Sequence, residues 1–151
     1  MTVMIGPMTI DHFDEVIVLW KEFENVGLSS ADEREKTKTY LARNPGMSFV
    51  AKENGVFAGV ALCGHDGRRG YLHHMAVAES HQMKGLGRKL AERCIESFRS
   101  AGIEKCHLFV FLRNKEGKAF WEKDRLDTEN RYPSGVQRII ERPFRGMKMT
   151  V

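Results

Sequence analysis

The residues best suited to chemistry lie where a predicted strand gives way to an amphipathic helix, in the segment Val77–Leu90. The first N–H groups of a helix have no partner within the helix, and its start carries partial positive charge. Gly85 and Gly87 allow an anion to approach this backbone closely. The pattern therefore predicts a binding site for phosphate groups. Three basic side chains stand beside it: Lys84, Arg88 and Lys89.

Two familiar phosphate-binding motifs do not fit this segment. The P-loop pattern G-x-x-x-x-G-K-[ST] occurs nowhere in the chain. A dinucleotide-binding fingerprint requires a third small residue where Leu90 stands, and it belongs to a parallel βαβ unit. The strand before this loop is instead predicted to be the third of an antiparallel set, so both nucleotide interpretations are rejected.

Hydrophobic periodicity predicts the elements that position the loop. Apolar residues recur at three- and four-residue spacing from Ile10 to Phe23, which indicates a helix that Thr9 could cap. Ser29 and Asp32 match a capping box, so a second helix is expected to start near Ser29 and to end before Pro45. Asn54-Gly55 predicts a tight hairpin turn. The remaining predicted elements are strands Thr2–Ile5, Met47–Lys52, Val56–Cys63 and Tyr71–Val77, helix Lys84–Ser100, strand Lys105–Leu112, helix Asn114–Lys123, and strands Val136–Glu141 and Met147–Val151.

These elements predict an α+β (mixed α/β) fold with a mainly antiparallel, twisted sheet and helices on both faces. The expected order is β-α-α-β-β-β-α-β-α-β-β. We expect one domain over residues 1–151, since this length suits a single core.

Composition narrows the class of protein further. With 42% hydrophobic and 29% charged residues, the chain is typical of a globular protein, and no apolar run is long enough to span a bilayer. The N-terminus lacks the features of a secretory signal. The net charge of +4 permits an anionic ligand without requiring nucleic acid. The three cysteines show no C-x-x-C spacing, so we expect buried thiols and a cytoplasmic location.

The segment Gln82–Gly87 resembles the Q/R-x-x-G-x-G/A motif of the GNAT superfamily of N-acetyltransferases. The predicted order of elements is similar to that family across about residues 2–123. Phe57-Ala58-Gly59-Val60 resembles the family's glycine-containing strand, and Asn114 followed by Phe120-Trp121-Glu122-Lys123 resembles its N-x-x-A-x-x-F-Y-E-K segment. The turn Asp66–Gly70 resembles that of small single-domain bacterial members.

The resemblance implies acetyl-CoA as co-substrate and no metal. It places the pyrophosphate on the backbone of Gln82, Met83, Lys84, Gly85, Leu86, Gly87 and Arg88. It places the pantetheine arm along Met75, Ala76 and Val77, where an N–H group would also polarise the thioester carbonyl. Asn114 would contact this arm, and Trp121 would wall it. The acceptor amine would attack the thioester directly in a ternary complex.

The chain departs from the family pattern at the residues that would transfer protons. The usual general acid of the family is a Tyr, and this chain has Trp121 at that position. The indole of a Trp cannot donate a proton at physiological pH, so Tyr132 is considered as a substitute. The position of the family's fifth-strand Glu is Phe109. Strand alternation places Tyr71, His73 and Met75 on one face, which makes His73 the first candidate base. His74 points the other way unless a bulge resets the register.

The expected activity is acetyl transfer to a primary amine, as a monomer or homodimer, with no membrane partner. Peptide N-termini, lysine side chains, polyamines, aminoglycosides and amino acids all remain open as acceptors. An alternative is an acyl-CoA-binding sensor or interaction module without turnover. A nucleic-acid binder is less favoured because the basic residues of the C-terminal segment are not interleaved with aromatic residues. Those basic residues are Arg131, Arg138, Arg142 and Arg145.

Overall fold

The computed structural model describes residues 2–23, 26, 28–110, 119, 128–129 and 138–143. Within these ranges the chain forms one twisted sheet of seven strands in the order β1-β2-β3-β4-β5-β7-β6. Only the β4–β5 pair is parallel, and the other neighbours are antiparallel. The α+β prediction is confirmed. The strands are β1 Val3–Pro7, β2 Phe49–Glu53, β3 Val56–His65, β4 Gly70–Val77, β5 Lys105–Val110, β6 Thr128–Glu129 and β7 Arg138–Pro143.

Three α-helices flank this sheet in the described part of the chain. They are α1 Phe13–Glu22, α2 Arg34–Arg43 and α3 Leu86–Ser100. Each is preceded by a short 3₁₀ turn, over Ile10–His12, Ser30–Asp32 and Glu79–His81 respectively. None of the helices in the described ranges is long and apolar enough to cross a membrane.

The start of the second helix differs from the position that its local sequence predicts. The capping box is present: the Ser29 N–H donates to Asp32 Oδ2 (2.9 Å), and the Ser29 side chain accepts the Asp32 N–H and also the Ala31 N–H (3.2 Å). It caps the 3₁₀ turn, however, and α2 begins only at Arg34, because Glu33 has extended backbone angles. The predicted start near Ser29 is therefore wrong for the α-helix. The predicted end before Pro45 and the Asn54-Gly55 turn, with φ of 50° and 78°, are confirmed.

The C-terminal predictions are only partly within reach. Strand β7, Arg138–Pro143, contains the last four residues of the strand predicted at Val136–Glu141, and the short β6 was not predicted. The predicted helix Asn114–Lys123 and strand Met147–Val151 lie essentially outside the described residues.

Two apolar clusters hold the sheet to its helices. The stripe predicted on α3 packs on one face, with Phe49, Ala61 and Leu72 of the strands. α1 and α2 cover the other face, where Trp20 and Val16 pack on Val60. The three cysteines form no disulfide and are buried, as predicted. The α3 stripe comprises Leu86, Leu90, Ala91, Cys94, Ile95 and Phe98.

Replacing Leu90 by alanine is expected to lower the free energy of unfolding by about 2 to 5 kcal/mol. Leu90 is fully buried, and a Cβ on Gly59 would stand only 3.1 Å from its Cδ1, so the side chain rests directly on β3. Urea unfolding followed by circular dichroism measures the loss. Lys89→Ala, at the adjacent exposed position, should change the stability by less than about 0.5 kcal/mol. Equal effects of the two variants would contradict this role for Leu90.

Candidate active site

The loop before α3 has a backbone conformation suited to an anion. Met83 and Gly85 both adopt positive φ, at 60° and 80°, a geometry that turns successive N–H groups toward one side. Gly85 is the N-cap of α3, and no side chain caps the helix there. The first hydrogen bond of α3 runs from the Lys89 N–H to the Gly85 carbonyl at 3.2 Å, so the N–H groups of Leu86 and Gly87 have no acceptor within the helix. These donors and the start of a 15-residue helix fit a pyrophosphate group.

Side chains fix this loop to the sheet. Gln82 Nε2 donates to the Val77 carbonyl at 3.0 Å, and Lys84 Nζ donates to the Ser80 carbonyl at 3.2 Å. His81 Nε2 is hydrogen-bonded to the Glu53 carboxylate, which ties the loop to the end of β2. The Gln82 N–H is itself engaged, since it donates to the Glu79 carbonyl at 3.3 Å. Contact of the pyrophosphate with the backbone of Gln82 to Arg88 stays a prediction.

Within the described ranges, β4 and β5 pair only from Gly70 to Leu72 on β4. The Ala78 N–H donates to Ala58 on β3 at 2.8 Å. Because backbone groups alternate along a strand, those of Met75 and Val77 face away from β3. The Val77 carbonyl, bonded by Gln82, agrees with this direction. These outward-facing groups on β4 suit pairing with an extended chain.

A β-bulge at His73 decides where the histidines point. The β3–β4 register pairs Leu62 with His74 and Cys63 with Leu72, which leaves His73 as the extra residue. Leu72 accordingly packs with the α3 cluster, whereas the His74 ring contacts Trp20 of α1 at 5.0 Å between centroids. Both histidines therefore face the α1–α2 side.

The same bulge corrects the predicted strand face. Met75 packs against the α3 cluster, so it does not share a face with His73 as alternation predicted. Tyr71 does lie beside His73, with the rings stacked at 6.0 Å between centroids. Ala76 is buried in the α1–α2 cluster.

The surroundings of His73 favour a neutral imidazole. His73 is exposed as a whole, but its ring contacts Tyr71 and, edge-on at 5.4 Å, Tyr40 of α2. Desolvation lowers the pKa of His73, the charge of neighbouring His74 lowers it further, and Asp32 acts in the opposite direction. A neutral histidine can accept a proton at physiological pH.

His74 is held by a carboxylate that sequence reasoning identified only as a helix cap. Its Nε2 lies 2.8 Å from Asp32 Oδ1, and both side chains are about nine-tenths buried. Burial raises the pKa of Asp32, but the hydrogen bond and charge of His74 outweigh it, so the net pKa is lowered and the carboxylate stays ionised. The capping-box pattern marked Asp32, but no local pattern connects it to a strand 42 residues away.

On the α1 side of this site, Trp20 is fully buried in the core, and Phe23 packs against the same cluster. Asn114, Trp121 and Tyr132 lie outside the described residues, and their predicted roles stay predictions. Within the described ranges, no three His, Cys, Asp or Glu side chains come together as a metal site.

Comparison with known proteins decides the family. The model of the acetyltransferase (GNAT) family matches residues 13–125, three quarters of the chain, including β4, the loop and α3. The chain belongs to the GNAT acetyltransferase family. The resemblance seen in the motif is thereby confirmed, and the GNAT domain contains both the phosphate-ready loop and the β4 histidines.

A curated relative is N-alpha-acetyltransferase 30 of Schizosaccharomyces pombe, 26% identical over 84 residues that cover 52% of this chain and 56% of the relative. The chain thus spans about half the length of this relative. Solved structures share the fold. The PaiA N-acetyltransferase of Thermoplasma acidophilum, in complex with coenzyme A, has a TM-score of 0.81 at 18% identity and covers 95% of this chain and 99% of its own. The ribosomal-protein-S18-alanine N-acetyltransferase of Escherichia coli has a TM-score of 0.73 at 19% identity and covers 99% of each chain.

Proposed function

We propose that this GNAT protein transfers the acetyl group of acetyl-CoA directly to a primary amine. The observation that carries the proposal is the continuity of two features. The loop with the start of α3, where Leu86 and Gly87 have N–H groups without an acceptor in the helix, follows the end of β4, where the backbone of Met75 and Val77 faces away from β3. This arrangement suits a long ligand with phosphates at one end. The related PaiA structure contains coenzyme A, which supports the assignment.

In the proposed reaction, the amine nitrogen attacks the thioester carbon. A C–N bond forms, the C–S bond breaks, and the amine loses a proton. A backbone N–H of Met75 or Val77 would stabilise the carbonyl oxygen as it gains charge. His73 would accept the amine proton, directly or through water. The thiolate, with an ordinary pKa of about 8.5, would leave unassisted or take a proton from Tyr132.

The proton acceptor narrows the class of amine. An ammonium with a pKa of about 10.4 lies roughly four units above an ordinary imidazole, whereas an α-amino group, at about 7.7 to 8.0, lies less than two units above it. Each unit is about 1.4 kcal/mol, so a histidine whose pKa is lowered suits an α-amine far better than a lysine side chain. The relatives named for N-alpha and S18-alanine acetylation support the same choice. We therefore propose a peptide or protein N-terminus as acceptor.

A free-thiol assay with purified protein tests both parts of this proposal. With acetyl-CoA, a short peptide with a free α-amine and no lysine should stimulate release of CoA. The same peptide with its N-terminus blocked is the control. A blocked peptide with one lysine, and a polyamine, should react at least tenfold more slowly. Faster transfer to either would overturn the α-amine assignment.

CoA binding without amine-stimulated thiol release would instead favour the alternative, an acyl-CoA-binding sensor. That outcome would be seen as a rise in melting temperature with acetyl-CoA alone. No rise with CoA or acetyl-CoA, together with a rise with ATP, would contradict both. The cytoplasmic location and the monomeric or homodimeric state stay predictions.

A further inference from the structure

We propose that Asp32 and His74 form a buried pair that controls proton uptake by His73, and that Asp32 is thus a positioning residue of the acetyl-transfer site. The inference rests on the proposed function, in which His73 accepts the amine proton. It assigns a role to a carboxylate that otherwise only caps a turn.

The geometry brings three titratable side chains from two elements to one place. His73 and His74 are adjacent in β4, and the bulge directs both to the α1–α2 side. Asp32 comes from the turn before α2 and holds His74 Nε2 at 2.8 Å. Its other oxygen accepts the Ser29 N–H at 2.9 Å, so the carboxylate has a fixed orientation. The Asp32 carboxylate is therefore already held next to His74, and no rearrangement is needed for its charge to act on the histidines.

The hydrogen bonds also fix the tautomer of His74. An ionised carboxylate only accepts hydrogen bonds, so neutral His74 carries its proton on Nε2. Its Nδ1 then has a free lone pair, and this atom is buried with no hydrogen-bond partner in the described structure. The Trp20 Nε1–H, in the ring that touches His74, is likewise buried and without a partner. A positive charge on His74 would stand beside His73, with the Asp32 carboxylate next to it.

The two members of the pair act on His73 with opposite signs. The charge of His74 disfavours a proton on His73, and the charge of Asp32 favours it. Tyr40 is the titratable group that α2 contributes near His73, and burial raises its pKa, so it stays neutral. Trp20, which α1 contributes, carries no charge. Tyr71 stacks on His73 from β4 and also stays neutral, because its pKa is raised by burial first and by Asp66 second.

The experiment uses two variants that change one charge each. Asp32→Asn removes the negative charge and can still cap the turn. His74→Gln removes the positive charge and can still donate to Asp32. We expect the midpoint of His73 protonation to move by about 0.5 to 1 pH unit, downward in Asp32→Asn and upward in His74→Gln. Titration of the histidine ring protons by NMR measures it, with His73 assigned by its loss in His73→Gln.

The matched control is Ser29→Ala, which removes the hydroxyl that accepts the Ala31 N–H at 3.2 Å and leaves the Asp32 charge in place. Its His73 midpoint should equal that of the wild type. Unchanged midpoints in both test variants, or shifts in the same direction, would overturn the proposal. If His74→Gln does not fold, Asp32→Asn decides alone: a downward shift that Ser29→Ala lacks supports it, and no such shift overturns it.

This readout is independent of turnover. If no amine stimulates thiol release, the proposed function fails while the NMR titration still tests the pair. If turnover is present, the acid limb of the kcat/KM profile should move with the NMR midpoint in each variant. Turnover with an unmoved acid limb in both variants would refute the control by Asp32 and His74 and leave the acetyltransferase assignment intact.

Discussion

Gly85→Asp is expected to raise the dissociation constant for CoA by roughly 30- to 150-fold, which corresponds to a loss of about 2 to 3 kcal/mol of binding free energy. Gly85 is the N-cap of α3, next to the N–H groups of Leu86 and Gly87, which have no acceptor within the helix. A carboxylate at this position would occupy those donors and repel a pyrophosphate. Isothermal titration calorimetry with CoA measures the change.

The matched control is at the other end of the same helix. Gly102 follows α3, also has positive φ (75°, against 80° at Gly85), and likewise has open space where a Cβ would stand. Gly102→Asp therefore introduces the same charge and a similar backbone cost without approaching the loop. Its CoA affinity should match the wild type. Similar losses in both variants would mean that strain or net charge, and not the anion site, explains the effect.

His73→Ala is expected to lower kcat near pH 7 by about 10²- to 10⁴-fold, the range that positioned acid–base groups contribute. The pH profile provides the sharper measurement. A protonated His73 cannot accept a proton, so wild-type kcat/KM should fall as the pH drops through the pKa of His73. Since desolvation and the charge of His74 lower that pKa, this acid limb should lie below the value of about 6.5 for an ordinary histidine.

In His73→Ala this limb should disappear, while the dissociation constant for CoA should stay within about twofold of the wild type. His12→Ala is the control, since His12 caps the turn before α1 by accepting the Thr9 N–H at 3.0 Å and lies on another element. It should keep the wild-type profile. A full rate and an unchanged profile in His73→Ala would show that another group removes the amine proton.

Sequence reasoning succeeds here where the cause is local. The α3 stripe repeats at helical spacing, and all its residues are buried as predicted. The turn at Asn54-Gly55 follows from residues that tolerate positive φ, and the anion loop follows from glycines before a helix. Each of these features depends on a few consecutive residues and on which face of a single element is buried. The start of α2 follows less well from the sequence. The capping box of Ser29 begins only a 3₁₀ turn, and the extended backbone of Glu33 delays the α-helix until Arg34.

The family motif, the phosphate-ready loop and the candidate base His73 can be recognised from the sequence alone. The direction of the two β4 histidines, and the groups that contact them, follow only from the tertiary structure. Strict alternation assigned Met75 to the same face as His73. The bulge arises when β4 pairs with β3, because His73 is an extra residue on β4 that has no partner on β3. The bond from His74 to Asp32 likewise joins residues 42 positions apart, across the packing of the α2 entry on the sheet. Such contacts depend on how elements dock, which periodicity within one element does not encode.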